Sequence, residues 1–137
     1  MLLDLLLIAD YVNITADGKL NVMGIFNSIH SPQFPTRHPE MFLVAKLSAD
    51  PSEYGTKRRL AIKLLDEGGK LIASLLEREI EIPHGKEGKV VEIRQILRLT
   101  GLVFPQPGAY QFSMLVDNDQ KGSQTIRLVQ IPKVKRG

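Results

Sequence analysis

The side chains that could carry chemistry are few and scattered. The histidines are His30, His38 and His84, and their spacings of 8 and 46 residues match no metal-ligand motif. There is no cysteine, which removes disulfides, thiolate metal sites and cysteine nucleophiles. The run Asp117-Asn118-Asp119-Gln120-Lys121-Gly122 starts like a calcium loop. It then places Lys121 at the fifth position and Leu128 at the twelfth, where an oxygen ligand and a bidentate glutamate are required. A calcium site at the loops of a C2-like fold would need Asp66, Asp117 and Asp119 to converge, and aspartate in turns has a local backbone reason of its own. No serine sits in a G-x-S-x-G elbow. Gly68-Gly69-Lys70 lacks the strand–loop–helix setting of a phosphate loop. Glu77, Glu79 and Glu81 alternate as on a solvated strand face. The sequence therefore points to no catalytic residue, no metal and no cofactor, and the chain is read as a non-enzyme.

Two groups of residues remain as binding candidates. Phe34, Arg37 and His38 belong to Ser31–Glu40, a segment with three prolines in ten residues. Loops fixed on a rigid scaffold are common binding sites, so these three form a candidate interaction loop. Lys133, Lys135 and Arg136 make a short basic tail suited to electrostatic contacts. Lys57-Arg58-Arg59 is the other basic cluster and reads as a charged strand edge. Aromatic residues are only 6% of the chain and none lies in either basic cluster, which argues against nucleic acid as a partner. The triplet Asn13-Ile14-Thr15 fits a glycosylation acceptor but sits beside a hairpin in a chain read as cytoplasmic.

These residues are positioned by strands. Leu60, Ile62 and Leu64 alternate with polar or small neighbours; so do Val91, Ile93, Leu97 and Leu99, and Tyr110, Phe112, Met114 and Val116. Period-two patterning with one wet face marks half-buried strands. Leu2–Ile14, Lys19–Ser31 and Met41–Ser48 are apolar on both faces in places. Asp17-Gly18 between apolar runs is a strong hairpin signal, and Asp66–Gly69, His84–Gly88, Pro107-Gly108 and Asp117–Gly122 mark further turns. Strands are long, or carry bulges at Gly24 and Gly101. Lys70–Ile82 has helical spacing at Ile72, Leu76 and Ile80 and strand spacing at Glu77, Glu79 and Glu81; the strand reading fits the preceding turn better. The prolines of Ser31–Glu40 cannot join a ladder well, so this segment reads as a rigid crossover between sheets.

The chain has 137 residues, 43% hydrophobic and 24% charged, a length and balance that suit one globular core. It carries 18 basic and 15 acidic residues. Three of the basic ones are in the tail, so the body is balanced. The apolar N-terminal run is interrupted by Asp4, lacks a positive flank and is too short to span a bilayer. The predicted architecture is all-β: an antiparallel two-sheet sandwich of seven to eight strands, immunoglobulin-like or C2-like, with one domain at 1–132 and a tail at 133–137. Gly108-Ala109-Tyr110 at the start of a strand resembles a tyrosine corner, in which a phenol bonds nearby backbone while its ring packs in the core.

Ala9-Asp10-Tyr11 … Asp17-Gly18-Lys19-Leu20-Asn21 … Gly24-Ile25-Phe26, followed by Phe34-Pro35-Thr36-Arg37-His38-Pro39, resembles a family of small, stand-alone bacterial proteins of unknown function. Its A-D-Y…D-G-K-L-N…G-x-F opening and F-P-x-x-H-P segment are followed by a D-x-x-G hairpin and a G-x-Y strand. The resemblance covers most of the chain. It implies a bacterial source and a compact β-sandwich, and no reaction. With the apolar load of the first two strands, the functional expectation is a non-enzymatic protein-interaction or self-assembling β-sandwich, partnered by itself or another protein and expected to be a homo-oligomer. A ligand-binding module using the sandwich-end loops for a sugar, lipid head group or ion is the alternative.

Overall fold

The computed structural model describes residues 1–133. Its strands are β1 (Leu2–Ile14), β2 (Leu20–Ile25), β3 (Ser28–Ser31), β4 (Thr36–Ala49), β5 (Lys57–Leu65), β6 (Leu71–Glu81), β7 (Val91–Phe104), β8 (Gly108–Val116) and β9 (Asp119–Gln130). Among the described residues the only helical pieces are 3-10 turns at Pro51–Glu53 and Lys86–Gly88. A four-stranded sheet runs β2-β1-β4-β7, and a five-stranded sheet runs β3-β9-β8-β5-β6. Leu6, Ile8, Met41, Leu43 and Leu47 from the first meet Leu60, Ile62, Leu64, Tyr110, Phe112, Met114 and Ile126 from the second in one core.

The all-β, two-sheet expectation holds, and residues 71–81 are a strand. Three details differ. There are nine strands rather than seven or eight, because Lys19–Ser31 is two strands in different sheets. The backbone changes sheet between Phe26, whose N–H donates to the Ile8 carbonyl (3.0 Å), and Asn27, whose carbonyl accepts from the Arg127 N–H (2.8 Å). Second, this crossing sets β3 parallel to β9, so the pairing is not wholly antiparallel, and the five-stranded sheet curls into a half-barrel. Third, the crossover back to the first sheet is short. β4 starts at Thr36, and Thr36, Arg37, His38 and Glu40 all pair with β7. Pro39 is absent from that ladder, opposite Gly101, as expected for a residue with no N–H. Gly24 and Gly101 do take positive φ, +70° and +65°, but neither shifts the register; the shifts fall at Leu3/Leu5, on β6 beside Ile62–Leu65, and at Met114/Leu115.

The N-terminal hairpin adds a local third layer. Leu5 pairs with Lys46, and Lys46 with Arg94. Thirteen residues of straight strand from Leu5 would carry the chain about 43 Å away. Yet Arg94 Nη1 donates to the Gly18 carbonyl at 2.8 Å. The distal part of the β1–β2 hairpin therefore doubles back over the outer face of the four-stranded sheet. A second apolar cluster lies beneath it: Ala9, Val12 and Val44, flanked by Leu5, Leu20, Val22, Phe42 and Ile96. Ala9 and Val44 are fully buried on what would otherwise be an outward face.

The tyrosine corner is present. The Tyr110 hydroxyl donates to the Gln106 carbonyl (2.6 Å) and accepts from the Gln106 N–H (3.1 Å). Its buried ring lies edge-on to Phe104 at 5.1 Å. Removing a buried hydroxyl that satisfies two backbone groups leaves both without a partner. Tyr110→Phe is expected to cost about 1–3 kcal/mol with the fold retained, read as a lower urea midpoint at unchanged slope.

Candidate functional site

The candidate interaction loop does not assemble. Phe34 is half-buried and packs against the main core. Arg37 and His38 are consecutive residues of a strand, so they point to opposite faces. Arg37 is exposed and its aliphatic stem lies near Gly101, while the half-buried His38 ring sits 5.7 Å from Phe26. The loop core is filled and Arg37 points away from His38, so these three side chains do not line a common pocket. Of the basic tail, Lys133 is exposed; Lys135 and Arg136 lie outside the described residues.

The acidic candidates are also dispersed. Asp66 caps the β5–β6 turn, accepting from the N–H groups of Gly68 and Lys70 at 3.0 and 2.8 Å. Asp117 lies at the opposite end of β5, where its Oδ1 accepts from the Arg59 N–H at 2.9 Å. The β5–β8 ladder puts Leu65 beside Gln111 and Leu60 beside Val116, so these aspartates sit at opposite ends of the sheet. Asp119 pairs with Lys121 at 2.9 Å. No trio of metal-ligating side chains occurs among the described residues. Glu77 is held by Arg59 (2.9 Å), and Glu92 by Arg94 (3.1 Å) and Lys46 (3.3 Å). These partners lower both carboxyls from their usual range.

The outer face of the five-stranded sheet is different. Because Leu60, Ile62, Leu64, Phe112, Met114 and Ile126 point inward, alternation turns Lys63, Gln111, Ser113, Ser123, Thr125 and Arg127 outward. Registers align them in rows: Lys63–Ser113–Ser123, Leu65–Gln111–Thr125, and Ala109–Arg127–Ser28. Ser113 is buried and bonded to Gln120 Oε1 at 3.0 Å. Neither Lys63 nor Arg127 has an ion-pair partner among the described residues. Strand geometry separates them by roughly 17 Å. No carboxylate stands on these rows; Glu77 borders them at one end, and Asp66 and Glu67 at the other. A hollow of about 340 Å³ at that second end is lined by Leu65, Asp66, Glu67, Gln111, Thr125 and Arg127. The signal is in the sequence as a period-two run of hydroxyls ending in a cation, Ser123-x-Thr125-x-Arg127. It is masked by the stronger apolar alternation of the same strands.

Residues 4–129 match the family of unknown function DUF6941. The chain belongs to this family. No curated protein matches a DUF6941 chain of this sequence. Among solved structures, the alkylpurine DNA glycosylase AlkC of Pseudomonas fluorescens, bound to DNA containing an abasic site analog, aligns with 15% identity and a TM-score of 0.46, over 74% of this chain and 27% of that one. The expectation of a protein-interaction or self-assembling sandwich is corrected. The physical reason lies within the DUF6941 fold. Most of the apolar load of the first two strands, which motivated that expectation, goes into the main core and the second cluster under the folded-back hairpin, while Leu2, Tyr11, Ile14, Met23 and Ile25 stay exposed as separate positions along the strands. No helix among the described residues is long and apolar enough to cross a membrane.

Asp117 yields a pH test. The Arg59 N–H and then the Arg58 guanidinium, 3.1 Å away, hold its carboxyl below the usual range. A folded pKa below the unfolded one adds stability that is present above about pH 4 and fades as pH falls through the lower folded value. Asp117→Asn is expected to lower stability at neutral pH and flatten its decline below about pH 4, followed by urea melts across that range.

Proposed function

We propose that this chain is a non-catalytic nucleic-acid-binding domain that contacts the phosphate backbone through the outer face of its five-stranded sheet. The observation that carries the reading is the carboxylate-free strip of hydroxyl and amide side chains between Lys63 and Arg127. Phosphate oxygens are contacted by lysine and arginine together with serine, threonine and glutamine; on this strip Gln111, Ser123 and Thr125 offer those donors between Lys63 and Arg127, Ser113 being buried and committed to Gln120. Arg127 lies on β9, and the basic residues Lys133, Lys135 and Arg136 follow that strand in sequence, adding charge to the same end of the chain. A period-two face does not display contiguous basic residues interleaved with aromatics, so its charge and donors are spread over three strands.

In this reading residues 1–132 form one immunoglobulin-like domain, for which the Tyr110 corner is the support. A C2-like calcium domain is disfavoured by the dispersed aspartates. The cysteine-free sequence suits a reducing cytoplasm.

The test is fluorescence anisotropy with a labelled duplex of about 20 bp and the matching single strand, across about 20–200 mM salt. Expected is weak binding at low salt, with log affinity falling against log salt at a slope of about −2 to −4. Lys63→Glu/Arg127→Glu is expected to weaken binding at least about tenfold and to make the slope shallower by about 2, with an unchanged circular-dichroism spectrum. No binding at the lowest salt, or equal binding by the folded double variant, overturns the reading.

A further inference from the structure

We infer that the distal β1–β2 hairpin, residues 11–23, is a lid that opens as a unit while the two-sheet core stays folded. Three observations point the same way. First, the hairpin is joined to the sheet at a weak place. β1–β2 pairs are formed at Ala9–Ile25 and at Tyr11–Met23, but none at the intervening Asp10–Gly24. There Gly24 adopts φ +70°, and an added Cβ would meet Asp10 Oδ2 at 2.6 Å. The ladder is interrupted where the hairpin turns back, and only glycine fits the bend.

Second, the hairpin is held over the sheet by few contacts. Arg94 to the Gly18 carbonyl is a polar latch, and the Tyr11 ring lies edge-on to Phe42 at 5.7 Å. Arg94 is itself positioned by Glu92, which also takes Lys46. Beneath the latch only Val12, Leu20 and Val22 seal against Leu5, Phe42, Val44 and Ile96, whereas the central core draws on both sheets. Third, the seal is imperfect. Asn13 Oδ1 is buried without a hydrogen-bond partner, and burying an unsatisfied amide oxygen disfavours the closed state. Elements with few buried apolar contacts open at lower free energy than the core. Opening would release Asn13 to water and bare an apolar floor centred on Val44.

Hydrogen exchange read by mass spectrometry on the full chain tests this. The amides of residues 11–23 are expected to exchange well before those of β4 and β7, and Arg94→Gln is expected to speed the hairpin about five- to tenfold while leaving core protection unchanged. Leu20→Ala, which thins the apolar seal at an exposed hairpin, is expected to do the same. Exchange of the hairpin and the core in one cooperative step in the wild type overturns the lid. Unchanged hairpin exchange in Arg94→Gln overturns the latch assigned to Arg94.

Discussion

At Phe26 and Asn27 two adjacent residues serve two different sheets. The Phe26 N–H is the last donor to β1, and the Asn27 carbonyl is the first acceptor from β9. The chain crosses between layers at the surface, with Asn27 exposed, and its backbone pairing passes from one sheet to the other between adjacent residues. The rest of the arrangement follows. β3 must lie parallel to β9, because the chain leaves β2 already running in that direction. β9 gains a flanking strand, the five-stranded sheet reaches its full width, and the chain has only the stretch from Pro32 to Pro35 in which to return. Phe34 and Phe26 both pack on the core, and a hollow of about 300 Å³ remains beside the crossing, between Ile8, Ile25, Phe26, Asn27 and Gln124.

The core is thus built from the inside of two sheets, but the four-stranded sheet is covered on both faces along part of its length. That explains why β1 and β4 are apolar on both sides. Such a pattern ordinarily marks a central strand buried by layers above and below. In this chain the upper layer is β1 itself, returned on its own hairpin. The five-stranded sheet has no such cover, and its outward residues on β8 and β9 are mostly small, polar or charged, with Leu65 and Leu71 the apolar exceptions towards the β6 border.

Much of this was legible in the residues. Strand alternation, the Asp17-Gly18 hairpin, the Asp66–Gly69 turn and the Tyr110 corner all depend on local chemistry, and local chemistry is what a sequence displays. The strand identity of residues 71–81 followed from Glu77, Glu79 and Glu81 lying on one face. What was not legible depended on distant partners. Lys19–Ser31 reads as one apolar run because nothing local marks the change of sheet at Asn27. Thr36–His38 read as loop because prolines bracket them, yet a strand tolerates proline where one ladder position lapses, as at Pro39 opposite Gly101. The candidate trio Phe34, Arg37 and His38 failed for the same reason: once on a strand, neighbours diverge. The polar strip between Lys63 and Arg127 draws its residues from three strands, and no single window contains it.

The β6 margin has a bearing on how the protein behaves in a crowded solution. It is the free border of the five-stranded sheet, with backbone groups available to any passing strand. Its second half carries Glu77, Arg78, Glu79 and Glu81, whose charges discourage a stranger from docking. Its first half, with Leu71 51% exposed and Leu75 and Leu76 half-buried, has no such guard. That is the half where both register irregularities against β5 fall, beside Ile62–Lys63 and Leu64–Leu65. Irregular pairing twists a border away from the flat geometry that recruits further strands. One margin is therefore kept from fibril-like growth by two different means, charge where the ladder is regular and distortion where it is greasy.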